Sequence, residues 1–211
     1  MTKPTIAAII VGIDGWHEYT GPLYRSIEEH EPDCKIVIVD NASETPYPSW
    51  VYPTNRTPRL CYSAAINYGK QVAGAADWYI VLSNDVLVTG PFADILAGYD
   101  DANLVGPLLK QIDIFPVGQV HYLEGWCVCI PRRIWDTIGG WDEGMQVSSY
   151  EDVEYSHRAR TQGFGLIEDT DLPFTHLDQK QRFYLVPNYW SSEAHNRQRF
   201  IDKYMVQAVR A

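Results

Sequence analysis

The chain has 211 residues, of which 45% are hydrophobic and 21% are charged, and its formal net charge at pH 7 is −10. This length fits one domain, and the composition is that of a globular protein rather than a disordered chain or a coiled coil. The acidic balance argues against a protein that coats nucleic acid or anionic lipid, because both need a broad basic surface.

The N-terminal sequence MTKPTIAAIIVGIDGW lacks the long apolar core and the small-residue cleavage site of a secretory signal. No stretch of the sequence approaches the roughly 20 apolar residues of a membrane span. We therefore expect a cytoplasmic protein with no membrane span. The only closely spaced cysteines, Cys127 and Cys129, are separated by one residue on a predicted strand, a spacing that is poor for a shared metal or a disulfide, so we expect the four cysteines to be reduced thiols.

The first part of the chain predicts a parallel sheet. Residues 5–13 (TIAAIIVGI) form a continuous apolar run, typical of a strand buried on both faces, and residues 19–30 carry the spacing of a helix. A second apolar run at 35–39 (KIVIV) ends on Asp40 and Asn41. Strand, helix and strand within about 35 residues make a β-α-β unit, whose strands are parallel.

The middle of the chain continues this pattern after an irregular stretch. Residues 45–58 hold four prolines and predict a loop with room for one short edge strand at 50–52. The elements predicted next are a helix at 61–74, a strand at 78–82, a short helix at 91–98 and a strand at 104–109.

The second half is less regular but still mixes strands and helices. Its predicted elements are a strand at 125–130, helices at 132–138 and 151–162, and an extended segment at 166–174. A last helix begins near Ser192 and carries an apolar stripe made of Phe200, Ile201, Tyr204, Met205 and Ala208. Together the elements predict an α/β fold, with one Rossmann-like domain whose mostly parallel central sheet is flanked by helices.

Three predicted strands end in acidic or amide residues. These ends read Gly12-Ile13-Asp14, Asp40-Asn41 and Ser83-Asn84-Asp85. In an open parallel sheet, ligands bind at the carboxyl ends of the strands, so the coincidence favours a ligand site. The alternative is turn formation, because Asp and Asn side chains hydrogen-bond to nearby backbone.

The glycine patterns of two nucleotide-binding classes are absent. No Gly-x-Gly-x-x-Gly follows the first strand and no Gly-x-x-x-x-Gly-Lys-Ser/Thr occurs, which argues against a dinucleotide enzyme and a P-loop NTPase. The phosphates of a bound nucleotide would then need a hard divalent cation, held by carboxylate and phosphate oxygens. Asp85 is well placed to bind such a cation.

The most specific pattern lies in the second half. It reads GWCVCIPRRIWDTIGGWDE at 125–143 and YEDVEYSHRARTQG at 150–163. In residue type and spacing, this pattern resembles the family 2 glycosyltransferases of the GT-A fold, especially the rhamnosyltransferase-like branch. The resemblance spans about residues 1–176, because KIVIVDNAS and WYIVLSNDV also resemble the family's first half.

The resemblance implies a single GT-A domain at 1–190, with a nucleotide-sugar-binding half at 1–110 and an acceptor half at 111–190, followed by a C-terminal helix at 191–211. The donor-binding residues that it implies are Gly12, Asp14, Asp40, Asn67, Asn84 and Asp85. Asp40 would contact the base or ribose of a UDP- or dTDP-sugar.

A metal site is also implied by the resemblance. Asp85 would be the last residue of a D-x-D motif that binds Mn²⁺ or Mg²⁺ and the diphosphate, and His176 would complete these contacts. Ser83 stands where the motif has its first Asp, so one carboxylate fewer should weaken metal binding.

The resemblance assigns Asp152 as the general base of an inverting transfer to an acceptor hydroxyl, with Glu151 positioning the base or the acceptor and Trp126 contacting the acceptor. A plain alternative is that Glu151 and Asp152 only favour the start of a helix by their charge. Another alternative is a catalytically inactive GT-A domain that binds a sugar or nucleotide. The acceptor class stays open among glycan, protein, lipid-linked sugar, nucleobase and small molecule, and the C-terminal helix leaves room for a homo-oligomer.

Overall fold

The computed structural model describes residues 3–45, 47–53, 59–177 and 189–208. In chain order the strands of these segments are β1 (Ile6–Gly12), β2 (Lys35–Asp40), β3 (Tyr52–Pro53), β4 (Trp78–Ser83), β5 (Val86–Val88), β6 (Asn103–Gly106), β7 (Leu109–Ile114), β8 (Gly118–Leu123), β9 (Cys127–Pro131), β10 (Gly165–Glu168) and β11 (Phe174–His176). The helices are α1 (Gly21–His30), α2 (Tyr62–Ala73), α3 (Ala93–Leu96), α4 (Arg132–Ile138), α5 (Glu151–Thr161) and α6 (Tyr189–Ala208), and one π-helical turn at Trp16–Thr20 precedes α1.

A seven-stranded sheet in the order β10-β6-β9-β4-β1-β2-β3 forms the centre of the described chain. Strand β9 runs antiparallel to both of its neighbours, β4 and β6, whereas the remaining neighbours in the sheet are parallel. The predicted α/β fold with a mostly parallel, helix-flanked sheet is therefore confirmed.

Strand β1 is buried on both faces because its residues are apolar at every position. Its even-numbered members pack with Leu23 and Ile27 of α1, and its odd-numbered members pack with Ala65 and Ile66 of α2. A Cβ added at Gly69 of α2 would lie 2.6 Å from Ile9 Cγ2, so the glycine lets this helix approach the sheet closely. The sheet is thereby fixed between two hydrophobic layers.

A third hydrophobic cluster joins α6 to α5 and to the hairpin of β7 and β8. From α6 it takes three of the predicted stripe residues, Phe200, Ile201 and Tyr204, which are buried. Met205 is 41% exposed, and the side chain of Ala208 lies outside the described residues. The stripe therefore packs within this chain, and a homo-oligomer through α6 stays a prediction.

Two of the expected extended segments are divided in the structure. The strand expected at 104–109 is interrupted, since Pro107 lacks an amide hydrogen to donate and separates β6 from β7. The extended segment expected at 166–174 divides into β10, a turn and β11, and β11 leaves the main sheet to pair with β5.

Candidate active site

The predicted site residues gather at one edge of the central sheet. In the register, Gly12 lies opposite Asp40 and Ser83 lies opposite Val11, so the carboxyl ends of β1, β2 and β4 share this edge. Because β9 is antiparallel, its beginning lies at the same edge, with Cys127 opposite Leu82. Adjacent strands are about 4.8 Å apart, which spreads the ends of β2, β1, β4 and β9 over roughly 15 Å.

Asp85 and His176 form the centre of this edge. Asp85 follows β4 and is 7% exposed, while His176 ends β11, which pairs with β5 directly after Asp85. His176 Nε2 lies 3.3 Å from Asp85 Oδ1, and the Leu177 amide donates to the Asp85 carbonyl oxygen at 2.9 Å. Antiparallel pairing of two short strands thus brings together residues that are 91 positions apart.

The nitrogen and oxygen of this pair suit a divalent cation such as Mn²⁺. His176 Nε2 is buried and makes no hydrogen bond within the described part of the chain, which leaves a ligand atom beside a carboxylate. Among the described residues, no group of three or more His, Cys, Asp and Glu side chains is arranged to hold a metal. The remaining ligands of a cation here would therefore be oxygens of a bound molecule or water.

Trp126 determines how the His176 ring is held. The two rings stack with centroids 4.9 Å apart and an interplanar angle of 1°. The Trp126 Nε1–H donates to Glu124 Oε2 at 3.0 Å, and Lys110 Nζ contacts Glu124 Oε1 at 2.6 Å. Trp126 is only 7% exposed. These contacts fix the imidazole plane, and the predicted acceptor contact of Trp126 stays a prediction.

Asp152 lies in the first turn of α5, next to Gly125, the residue that precedes Trp126. The Gly125 amide donates to Asp152 Oδ2 at 2.9 Å, and the Val153 amide donates to Oδ1 at 2.8 Å. A Cβ added at Gly125 would lie 3.1 Å from Asp152 Cβ, so only glycine leaves this carboxylate unhindered. Through Gly125 and Trp126, the structure brings Asp152 to the same edge as Asp85 and His176.

Two further polar side chains, those of Glu151 and Tyr122, are close to Asp152. Glu151 is buried and accepts a hydrogen bond from Ser148 Oγ at 3.2 Å. Burial, together with the negative charges of Asp152 and Glu124, raises the pKa of Tyr122 to about 12, so its hydroxyl stays protonated and can donate. Sequence reasoning missed Tyr122 because the β7–β8 hairpin itself was not predicted.

Asp14 and Asp40 hold the loop that follows β2. Asp40 Oδ1 accepts from the Ser43 amide at 2.9 Å, and Asp14 Oδ1 accepts from the Glu44 and Thr45 amides at 2.8 and 3.1 Å. Both carboxylates make the turn-forming bonds of the alternative interpretation. Both are also partly exposed at the sheet edge, so a donor contact remains a prediction for them.

Gly12 and Asn84 lie against Tyr47, a residue that sequence reasoning missed. A Cβ at Gly12 would lie 2.4 Å from the Tyr47 hydroxyl, which donates to the Asp14 carbonyl oxygen at 2.6 Å. The same hydroxyl lies 2.8 Å from Thr20 Oγ1, to which Asn84 Nδ2 donates at 3.3 Å. Burial raises the pKa of Tyr47 to about 12, and no motif in its proline-rich loop marked it.

Asn67 bridges the two halves of the chain. Its Nδ2 donates to the Trp141 carbonyl oxygen at 2.9 Å and to Glu143 Oε1 at 2.8 Å, and its Oδ1 accepts from the Trp141 amide at 2.9 Å. These bonds hold the Gly-Gly-Trp-Asp-Glu segment against α2. Its described contacts are with that segment and not with the strand ends, so its predicted donor contact stays a prediction.

The amino-acid sequence of this chain is only weakly similar to the known proteins that it matches. No protein-family model matches the chain. Uncharacterized proteins of Mycobacterium tuberculosis and Mycobacterium bovis are 26% identical over 208 aligned positions, which cover 85% of this chain and 77% of theirs.

Solved structures show a stronger similarity in three dimensions. The structure of GalNAc-T7 with UDP, GalNAc and Mn²⁺ matches 96% of this chain with a TM-score of 0.76 at 16% identity. The chain has a GT-A-like fold. The mannosyltransferase PcManGT from Pyrobaculum calidifontis, in complex with GDP-Man and Mn²⁺, matches all of the chain with a TM-score of 0.66 at 12% identity. TarS of S. aureus matches 95% with a TM-score of 0.59 at 11% identity.

The GT-A-like chain is shorter than these structures. It spans 50% of the GalNAc-T7 chain, 65% of the PcManGT chain and 43% of the TarS chain. None of the three is named as a rhamnosyltransferase, so that branch stays a prediction. Within the described residues, no helix has the length and apolar character to cross a membrane.

Proposed function

We propose that this chain is an inverting, metal-dependent glycosyltransferase that moves a sugar from a nucleoside diphosphate donor to an acceptor hydroxyl. The observation that carries the proposal is that Asp152, through Gly125 and Trp126, lies at the same edge of a GT-A-like sheet as the Asp85–His176 pair. GalNAc-T7 and PcManGT, which share this fold, were solved with a nucleotide or nucleotide-sugar and Mn²⁺.

The donor would lie along the sheet edge. Asp40, Gly12, Asp14 and Asn84 would line the base and ribose of a UDP- or dTDP-sugar, and Asp85 with His176 would hold Mn²⁺ or Mg²⁺ near the diphosphate. A bound cation would offset the negative charge of the leaving diphosphate. The Trp126 ring would keep His176 Nε2 turned towards Asp85, so the ligand pair is oriented before donor binds.

Asp152 would act as the base. The acceptor oxygen would form a bond to the anomeric carbon as the bond from that carbon to the diphosphate oxygen breaks, and the acceptor proton would pass to the Asp152 carboxylate. The Gly125 amide would keep Oδ2 in place during this transfer. Attack from the face opposite the diphosphate inverts the anomeric configuration.

A second candidate function is a sugar- or nucleotide-binding module without activity. Two observations favour it: Ser83 replaces the first Asp of the motif, and the described residues hold no three-ligand metal cluster. Titration of UDP with and without Mn²⁺ separates the two functions. Binding that Mn²⁺ strengthens supports the enzyme, and binding that is indifferent to Mn²⁺ supports the module.

The direct test is a donor screen that measures nucleotide release with candidate acceptors from the classes left open above. Asp152→Asn should keep donor binding, because Asp152 lies beyond the donor residues, and should lose most transfer. Equal transfer by wild type and Asp152→Asn would refute Asp152 as the base.

A further inference from the structure

The segment that leads into α5 has an unfavourable backbone. Val147, Ser149 and Tyr150 have φ angles of +46°, +91° and +67°, in the left-handed region, although none of them is a glycine. Such angles persist only where the surroundings impose them, and Val147 is β-branched, which makes its conformation rarer still. This segment places Glu151 and Asp152, so whatever imposes its shape also controls the site.

Asn196 of α6 supplies much of this constraint. It is fully buried, and its Oδ1 accepts from the Gln146 amide at 2.6 Å. Its Nδ2 donates to the carbonyl oxygens of Gln146 and Ser149 at 2.8 Å each, and lies 3.3 Å from that of Ser148. A carboxamide combines an acceptor with two donors on a short side chain, and this environment uses both functions.

Helix α6 is itself tied to the chain on both sides of this segment. Arg199 and Lys203 contact Asp142 at 2.8 and 3.1 Å, before the segment. Lys203 and the Tyr204 hydroxyl contact Glu154 Oε1 at 2.7 and 2.8 Å, after it. Asn196 is therefore held by an anchored helix, and it hydrogen-bonds to the segment between the two anchors.

We propose that Asn196 is a positioning residue that holds the 146–150 backbone so that Asp152 reaches the Gly125 amide. This inference rests on the proposed function, because it gives Asn196 a role in catalysis through Asp152. Without the carboxamide, the segment would relax towards ordinary φ angles and the Asp152 carboxylate would move away from the acceptor. The described hydrogen bonds of Asn196 go to residues 146–149 and not to Asp85 or His176, so binding of donor and metal should not change.

The experiment compares Asn196→Ala with Ile201→Val, which removes one buried methyl group from the same helix and leaves the hydrogen bonds to the segment intact. For Asn196→Ala we expect kcat for transfer to fall about tenfold or more, since small displacements of a reacting group are costly. KM for the donor and the affinity for UDP with Mn²⁺ should stay within about twofold of wild type. The backbone amides of residues 146–150 should exchange hydrogen with solvent faster than they do in wild type. Asn196→Asp, which keeps the shape but loses the donors, should show the same loss if the alanine variant does not fold.

Two results would overturn the proposal. One is an unchanged kcat in Asn196→Ala or Asn196→Asp while wild-type transfer depends on Asp152. The other is an equal loss of kcat in Ile201→Val at a similar decrease in melting temperature, which would make Asn196 merely structural. A failure of the proposed function would give a different result. The wild type would then release no nucleotide, or Asp152→Asn would transfer as much sugar as the wild type.

Discussion

At the scale of single residues, the contact between Gly125 and Asp152 limits which residue can stand at position 125. Gly125→Ala would place a methyl group 3.1 Å from Asp152 Cβ and 3.2 Å from Oδ2, and Asp152 would have to give way by a few tenths of an ångström. We expect a loss of about tenfold or more in kcat, because the base would be displaced from the acceptor oxygen. Steady-state kinetics measure this loss of kcat.

Gly90→Ala is the matched control for this substitution. Its added Cβ would meet only Pro173 Cβ at 3.5 Å, an ordinary contact, so activity should be unchanged. If Gly125→Ala and Gly90→Ala had the same kcat, the close approach of Gly125 to Asp152 would have no catalytic importance.

The stacked Trp126 ring predicts an effect on metal affinity. In Trp126→Leu, the His176 imidazole would lose the flat surface that fixes its plane. Groups that orient a metal ligand are typically worth about 10- to 100-fold in affinity, so Mn²⁺ should bind at least about tenfold more weakly in the presence of UDP. Electron paramagnetic resonance of free Mn²⁺ measures this without any turnover.

Trp126→Phe tests the same contact from the other side. Phenylalanine keeps a ring that can stack but lacks the indole hydrogen bond to Glu124, so most of the Mn²⁺ affinity should remain. An Mn²⁺ affinity of Trp126→Leu equal to that of wild type would show that the stacking does not orient His176.

At the scale of elements, α6 is attached to Asp142 and to Glu154 of α5 by ion pairs whose effect depends on pH. Burial alone would raise the pKa values of both carboxyl groups. Hydrogen bonds from Arg199, the Gly144 amide and Lys203 outweigh it and lower the pKa of Asp142, and those from Arg158 and Lys203 lower the pKa of Glu154. A carboxyl with a lowered folded-state pKa stabilises the fold above its unfolded value, near pH 4, and loses that contribution as the pH falls through the folded value. The free energy of unfolding should therefore decline as the pH drops below about 4.5.

Lys203→Met isolates this attachment. It removes a partner of both carboxylates, and we expect the free energy of unfolding at pH 7 to fall by about 1–3 kcal/mol, with a shallower decline in acid. Arg133→Met, which breaks the exposed ion pair with Asp101, should cost about 0.5 kcal/mol or less. Urea unfolding at pH 7 and pH 4 measures both, and a similar loss in the two variants would contradict the account.

The elements that sequence alone predicts are those with an unambiguous pattern. The continuous apolar runs of β1, β2 and β4 predict buried parallel strands, and α5 was expected within one residue of its observed end. The β7–β8 hairpin was not predicted, because its exposed and buried residues do not alternate regularly. The pairing of β11 with β5 depends on contacts between residues far apart in sequence, which no local pattern contains.

The same limit applies to the candidate site. Family resemblance predicts Asp85, His176 and Asp152 as site residues, and the structure brings these three to one edge, while their roles stay predictions. Two other residues were not predictable: Tyr47, which contacts Asp14 and Thr20, lies in an irregular loop, and Asn196, which bonds to the segment before α5, lies on a helix beyond the region of resemblance. Both residues contact residues that are far away in the sequence, and spacing along the chain does not reveal such contacts.

At the scale of the whole molecule, the antiparallel strand β9 connects the two halves. Its reversal places the Gly125-Trp126 dipeptide at the carboxyl ends of the parallel strands, where the first half supplies Asp40 and Asp85. The second half then supplies Asp152 and His176 through α5 and β11. The residues proposed to bind the donor and the residue proposed as the base thus come from opposite halves of one chain and lie along one edge of one sheet.

A crystal structure of the protein with Mn²⁺ and UDP would show whether these residues form one site. We expect one anomalous Mn²⁺ peak bonded to Asp85 and His176, with the base of UDP near Asp40 and the β-phosphate facing Asp152. An Mn²⁺ peak away from Asp85 and His176, or a diphosphate bound remote from Asp152, would contradict this expectation.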